Sequence, residues 1–218
     1  NCIFYKNQSS TGGVDGSAIH SQSKMTVESC QFIENGCSSD GFGGAIHGNS
    51  SGYPIIQNSV FSRNASSGDG GAIANFNSYP LIASCSFSNN GASGNGAAIE
   101  MNKAVGSNAA LETTKIYNSI FWNHTGSEVV ADSGTPDVQY CILQSGDYSG
   151  NAGVLALDPL YVEAAQDNLS LQATSPAIDA GNNTLVLGTL DRDGNARIQD
   201  GDEDESADID RGAYEYEP

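Results

Sequence analysis

The segment Ser59-Val-Phe-Ser-Arg-Asn64, followed by Asp69-Gly-Gly-Ala-Ile73, decides the fold because the chain repeats it. The motif Phe-x-x-Asn begins at Phe4, Phe32, Phe61 and Phe87, and a degenerate fifth copy reads Phe121-Trp-Asn-His124. A second motif, Gly-x-Ala-Ile, lies between the copies and begins at Gly16, Gly43, Gly70 and Gly96. A period of 26 to 29 residues indicates one supersecondary unit that stacks on itself.

Each period contains three short apolar runs separated by polar, Gly-rich turns. In one period these runs are Ile55-Ile56, Val60-Phe61 and Ala72-Ile73. They are too short for helices, which usually need about ten residues or more. The pattern therefore predicts an all-β fold, a parallel β-helix with three strands per turn. We expect six coils, with equivalent strands about 4.8 Å apart.

Equivalent positions predict columns of similar side chains inside the helix. One column is Cys2, Cys30, Ser59, Cys85, Ser119 and Cys141, and a second, two residues later, is Phe4, Phe32, Phe61, Phe87, Phe121 and Leu143. Positions i and i+2 share one face of a strand, so both columns should point inward. A third inward column is Val27, Ile56, Ile82, Ile116 and Val138, and its odd offset from the first requires a bend.

The Asn of Phe-x-x-Asn is predicted to end its strand in a left-handed turn. Its side-chain amide can bond the amides above and below it. His124 replaces the fifth Asn and is expected to end this ladder.

Four of the five cysteines lie in one inward column, where buried Cys behaves as a small apolar residue. In-register parallel strands point adjacent Cβ atoms alongside each other, so we expect free thiols rather than disulfides. Cys37 has no equivalent in the three predicted columns.

The chain divides into two parts that differ in their sequence pattern. Residues 1–150 hold the repeats, with an expected loop around Asn102 to Glu112 where the spacing lengthens. Residues 151–218 are interpreted as the final coils and an acidic C-terminal cap. Because the chain begins within a coil, we expect it to be part of a longer exported protein.

The net charge of −18 excludes two classes of partner. So acidic a surface repels nucleic acid and anionic membranes, and neither is expected to bind. The sequence shows no signal peptide and no membrane-spanning segment.

The alternation of Gly-Gly-Ala-Ile and Phe-x-x-Asn resembles the repeats of chlamydial polymorphic outer membrane proteins. It is also similar to bacterial secreted proteins with right-handed, pectin-lyase-like β-helices. The segments Asp158-Pro-Leu-Tyr-Val162, Ser175-Pro-Ala-Ile-Asp179 and Asp208-Ile-Asp-Arg-Gly-Ala-Tyr-Glu-Tyr216 resemble the closing part of choice-of-anchor Q domain proteins. The resemblance implies a right-handed helix and an extracellular or cell-surface location.

The acidic C-terminal segment is the main candidate for a metal site. Residues 191–218 hold eleven Asp or Glu and three Arg. Oxygen ligands alternate in two runs, as they do in calcium loops; the candidates are Asp191, Asp193, Asn195, Asp200, Asp202, Asp204 and Asp208. Structural calcium is one interpretation, and a solvated acidic loop is the other, because the second run lacks the Gly and Glu of an EF-hand.

His20 and His47 occupy equivalent positions and are followed in their column by Ala74 and Glu100. Two His and a carboxylate can bind a transition metal. Ala74 interrupts the set, so the favoured interpretation is a pair of exposed histidines on an outer sheet face.

These features favour a non-enzymatic surface protein, such as a structural, adhesin or filament component, that binds polysaccharide or its own copies along the rod. The alternative is a polysaccharide lyase or glycoside hydrolase whose site lies outside this chain. A hydrolase needs facing carboxylates, and the charges of the coils are scattered over different columns. A carbohydrate-binding module that stacks sugars on Tyr53, Tyr79 or Trp122 is a third possibility.

Overall fold

A computed structural model describes residues 1–10, 15–38, 40–49, 53–102, 113–132 and 134–218. The expected loop from Asn102 to Glu112 falls almost entirely outside these residues. The described chain is an all-β parallel solenoid whose only helices are two short 3-10 turns, Ala164–Gln166 and Asn183–Leu185. It has four complete coils, a partial fifth coil and one strand of a sixth, so the expectation of six coils was too high.

Each complete coil contains four strands. Coil 1 has β1 (Ile3–Tyr5), β2 (Gln8–Ser9), β3 (Ile19–Ser21) and β4 (Thr26–Glu28). Coil 2 has β5 (Gln31–Ile33), β6 (Gly36–Cys37), β7 (Ile46–Asn49) and β8 (Ile55–Gln57). Coil 3 has β9 (Val60–Ser62), β10 (Ala65–Ser66), β11 (Ile73–Phe76) and β12 (Leu81–Ala83).

The remaining coils continue the same order. Coil 4 has β13 (Ser86–Ser88), β14 (Gly91–Ala92), β15 (Ile99–Asn102) and β16 (Lys115–Tyr117). The partial coil 5 has β17 (Ile120–Trp122), β18 (Val129–Ala131) and β19 (Asp137–Gln139), and β20 (Ile142–Leu143) follows. The first, second, third and fourth strands of the coils form four parallel sheets, which we name A, B, C and D.

The sequence prediction of three strands per coil missed sheet B. Its strands are two residues long and carry small or polar side chains, so they give no apolar run. Sheet B also explains Cys37, which pairs with Ser9 on one side and Ser66 on the other.

The predicted inward columns are confirmed from coil 2 onward, whereas Cys2 in coil 1 is exposed. Phe4, Phe32, Phe61, Phe87 and Phe121 stack with ring centroids 4.6–4.7 Å apart and nearly parallel planes. The Val and Ile column also pairs in register, from Val27 through Ile56, Ile82 and Ile116 to Val138. These columns form most of the main hydrophobic core.

The predicted amide ladder is confirmed, although the left-handed residue at this corner is not the one predicted. The Nδ2 groups of Asn7, Asn35 and Asn64 donate to the Oδ1 of the next Asn at 2.8–2.9 Å, and the series ends at Asn90. The Asn90 N–H then donates to Nδ1 of His124, 3.1 Å away. Burial lowers the pKa of His124 to about 4, so its neutral ring can accept this bond.

The left-handed residue of each motif is not the ladder Asn but the residue before it. Glu34 and Arg63 have φ of 53° and 52° at this corner. A second left-handed corner, at Ser29 and Asn58, supplies the bend predicted before the Cys/Ser column. Offsetting the turn by one residue leaves the Asn side chain free to point inward.

The four cysteines of the inward column are free, as predicted, and Cys37, for which we made no prediction, is free as well. Burial raises the pKa of the Cys85 and Cys141 thiols to about 12. Their Sγ atoms contact backbone carbonyls at 3.2–3.6 Å. These two thiols therefore serve as packing groups of the core.

The C-terminal segment lies along the side of the solenoid, which differs from the predicted coils and end cap. After an isolated parallel bridge between Ile142 and Leu155, no described residue joins sheets A to D. Instead, the antiparallel hairpin of β21 (Tyr161–Glu163) and β22 (Asn168–Leu171) packs on the outward residues of sheet A. This second core unites Val60, Ile120 and Ile142 with residues of the segment.

Polar contacts extend this lateral packing across three coils. Asn58 Nδ2 donates to the carbonyl of Leu190 at 2.9 Å, and Asn118 Nδ2 donates to that of Asn182 at 3.1 Å. The buried Arg197 bonds both Glu215 and Asn58, at 2.7 and 2.9 Å. The segment thus clamps the coils to one another.

Candidate functional site

In the first run of predicted calcium ligands, the carboxylate oxygens of Asp191 already accept hydrogen bonds from the protein backbone. Asp191 is buried, and its Oδ1 accepts the N–H groups of Asp193, Gly194 and Asn195, each at 2.8 Å. Its Oδ2 accepts the N–H of Glu215 at 3.0 Å. Asp193 is exposed and pairs with Arg192. In this arrangement Asp191 shapes a turn and holds the backbone at Glu215.

The second run contains a tight carboxylate cluster. Asp179, Asp200 and Asp202 each place one oxygen within 4.8 Å of the others. Asp179 Oδ2 accepts the N–H groups of Gly201 and Asp202, both at 2.8 Å, and so draws the acidic loop toward itself. Sequence reasoning named Asp200 and Asp202 but missed Asp179, because that residue lies about twenty positions upstream in a turn-like segment.

Asp204 and Asp208 are placed beside this cluster without joining it. Asp204 Oδ1 accepts the N–H of Ser206 at 2.8 Å, and Asp208 Oδ1 accepts from Asn183 Nδ2 at 2.8 Å. Burial and the charges of Asp204 and Asp179 raise the pKa of Asp202. The cluster therefore carries electrostatic repulsion that a cation would relieve.

A second constellation forms on the outer face of sheet C, at coils 1 and 2. His20 and His47 pair in register, with their Nδ1 atoms 3.2 Å apart, and Asp15 Oδ2 lies 3.5 Å from Nδ1 of His47. The expectation of two exposed histidines is wrong for His47, which is only 2% exposed. Asp15 comes from the turn before Gly16, and the dipeptide Asp15-Gly16 by itself predicts only a turn at this point of the sequence.

Glu100 lies two coils further along the same outer column. It is fully buried, and neither carboxylate oxygen has a hydrogen-bond partner among the described residues. Burial raises its pKa to about 8, and the nearby charges of Asp132 and Asp69 contribute. The buried position of Glu100 therefore favours its protonated form, which sequence reasoning did not anticipate.

The three aromatic residues considered as sugar-binding platforms do not all lie together. Tyr53 and Tyr79 lie side by side, with ring centroids 6.3 Å apart and planes tilted by 34°. Tyr53 is exposed. Trp122 is half-buried against the second core and does not join them.

The coils match a known repeat family over two short stretches. Residues 58–75 and 84–100 match the model of the Chlamydia polymorphic membrane protein repeat. Each stretch contains one Phe-x-x-Asn motif and one Gly-x-Ala-Ile element. Comparison with curated proteins and with solved structures gave no significant match.

The match therefore concerns the coils rather than the candidate sites. The two stretches include Asp69 and Glu100 but neither His20, His47 nor the acidic segment. Among the described residues, no helix is long and apolar enough to span a membrane.

Glu100 provides a pH-dependent prediction. Its pKa is raised from 4.5 to about 8, so its contribution to stability is present at low pH and is lost as pH rises through this range. We expect Glu100→Gln to stabilise the protein relative to wild type by on the order of 1–3 kcal/mol more at pH 9 than at pH 5, after allowance for solvent screening. Denaturant unfolding at both pH values measures this difference.

The control is Glu203→Gln, which removes an exposed carboxylate. Its effect on unfolding free energy should be nearly the same at both pH values. Equal pH dependence in the two variants would contradict a protonated Glu100.

Proposed function

We propose that the chain is a non-enzymatic β-helix segment of an extracellular or cell-surface protein, serving as a structural, adhesin or filament component. The observation that carries the proposal is the match of two coils to a membrane-protein repeat. We include in this proposal that the β-helix is right-handed and of the pectin-lyase-like type. Polysaccharide, or further copies of the chain along the rod, are the proposed partners.

The physical character of the solenoid supports this role. Its interior is filled by side-chain ladders, and its lateral segment crosses several coils. Such a structure resists local opening, because each coil is bonded to both neighbours. The net charge of −18 also suits a solvent-exposed exterior.

Surface location is tested on intact cells of the source organism. Antibody raised against the purified chain should label unbroken cells, and brief external protease should remove the label. A cytoplasmic marker protein, which must survive the protease, is the control. Labelling that appears only after lysis would overturn the surface assignment.

A polysaccharide-cleaving enzyme whose site lies outside this chain is the second candidate, and among the described residues Glu100 is the carboxyl to test for such a role. A glycoside hydrolase requires a general acid whose pKa is raised, and two carboxylates lie near Glu100. Its complete burial argues against direct contact with substrate. We expect no new reducing ends or unsaturated products from a panel of acidic and neutral polysaccharides. Cleavage that Glu100→Gln abolishes would establish the enzymatic alternative.

Structural calcium in the acidic segment is also proposed. The cluster of Asp179, Asp200 and Asp202 supports it best, with Asp204 and Asp208 beside it, and Asp191, Asp193 and Asn195 remain the weaker set. Calcium that binds only the folded protein should raise the Tm, with about 2.7 kcal/mol of stabilisation at a hundredfold excess over Kd. Sodium at matched ionic strength should not reproduce the shift.

Two variants test which carboxylates bind the calcium. Asp202→Asn should abolish the calcium-dependent shift, whereas Asp193→Asn should retain it. Identical melting curves with calcium and with chelator would leave a solvated acidic loop as the correct interpretation.

A further inference from the structure

The outer face of sheet C brings three metal-binding side chains to one point. His20 belongs to β3 and His47 to β7, and their pairing places both imidazoles on the same side of the sheet. Asp15 reaches the pair from the turn that enters β3. Their donor atoms all lie within 4.8 Å of one another. We propose that Asp15, His20 and His47 bind a transition-metal ion, with zinc as the species that fits best.

The distances agree with tetrahedral coordination. Zinc bonds of about 2.0–2.1 Å place any two donor atoms of a tetrahedron about 3.3–3.4 Å apart. The two Nδ1 atoms are separated by 3.2 Å, and Asp15 Oδ2 is 3.5 Å from Nδ1 of His47. Two imidazole nitrogens this close must share either a proton or a cation. The carboxylate on the same side supplies a third ligand and negative charge for a cation.

The surroundings hold the ligands in place. Asp15 Oδ1 accepts the N–H of Phe42 at 2.9 Å, which orients the carboxylate and leaves Oδ2 for the ion. The ring of His47 packs edge-on against Phe76, with centroids 5.1 Å apart. Outer contacts of this kind fix ligand orientation in metal sites.

Exposure leaves room for a fourth ligand. His47 is buried, but His20 is exposed and Asp15 is partly exposed, so solvent reaches the point where the three groups meet. Three protein ligands with one open position describe a site that can also take water or a donor group from a partner. The site joins coils 1 and 2, so bound metal would cross-link them.

The test is titration of the full chain with zinc, followed by calorimetry. Wild type should bind one zinc ion at this site, and Asp15→Asn and His20→Gln should each weaken it at least about tenfold, since even second-shell changes cost that much. His20 is chosen because it is exposed and its loss leaves the core intact.

The chain offers a matched control for Asp15. Asp69 occupies the equivalent turn two coils later, and its Oδ1 accepts the N–H of Asn95 at 2.6 Å, but no histidine lies beside it in that coil. Asp69→Asn should therefore retain wild-type zinc affinity. Cobalt bound to wild type should show the intense visible absorption of a tetrahedral site, and Asp15→Asn should lose it.

Two results would overturn the proposal. One is the absence of stoichiometric zinc binding by wild type. The other is equal affinity in wild type, Asp15→Asn, His20→Gln and Asp69→Asn, which would assign the binding to the acidic segment.

Discussion

Phe61→Ala should lower the free energy of unfolding by about 3–5 kcal/mol, the range for Phe removal from a packed core. Phe61 is fully buried and stacks on Phe32 and Phe87, both at 4.7 Å. Its removal leaves a cavity between two rings whose positions are fixed by strand pairing on both sides. The surrounding structure can therefore collapse very little. Denaturant unfolding at neutral pH measures the loss.

The ladder itself supplies the control. Among the described residues, Phe4 stacks on one ring only, that of Phe32, and it is partly exposed. Phe4→Ala should cost clearly less than Phe61→Ala. Equal losses, or a loss below about 1 kcal/mol at Phe61, would contradict the stacked core.

Asn64→Asp should destabilise the protein at neutral pH by roughly 3–5 kcal/mol, the cost of an uncompensated buried charge. Asn64 is fully buried, and its Nδ2 donates both to Asn90 Oδ1 and to the Phe32 carbonyl, each at 2.9 Å. A carboxylate cannot donate these bonds, and it would face two oxygens instead. Chemical unfolding compared with wild type measures the effect.

The pH dependence of the destabilisation provides a second test of this prediction. Protonation of the introduced carboxylate restores one donor and removes the charge, so the destabilisation should shrink as pH falls toward 4. Asn89→Asp makes the same change at an exposed position of the next coil and should have little effect. A destabilisation of Asn64→Asp that is small, or independent of pH, would show that the amide ladder is absent.

The repeated part of the fold was predictable because like side chains must stack on like. The register of Phe61, Asn64 and Ile56 follows from the period alone, and the structure reproduces it. Sheet B was not predictable, because Gly36 and Cys37 carry no apolar pattern and their pairing depends on the coils above and below. The left-handed corner was displaced by one residue, because Glu34 and Arg63 are not typical residues for positive φ.

The C-terminal segment and the sites were less predictable, because their contacts are distant in sequence and occur once. Nothing local to Asn58 indicates that its amide meets Leu190, 132 residues away. The same holds for Asp179, which meets the acidic loop only through the path of the folded segment. The repeat correctly aligned His20 with His47. Asp15 was expected only to form a turn. The burial of His47 could not be predicted, because it depends on side-chain packing that the repeat pattern does not describe.

The central claim is that consecutive coils stack in register through an internal amide ladder, and side-chain amide hydrogen exchange tests it most directly. The Nδ2 protons of Asn35, Asn64 and Asn90 should exchange with solvent far more slowly than those of the exposed Asn89, as followed by NMR after transfer to heavy water. Their protection should approach that of the backbone amides of sheet A, because both open only when coils separate. Exchange of the three ladder amides at the rate of Asn89 would contradict the account.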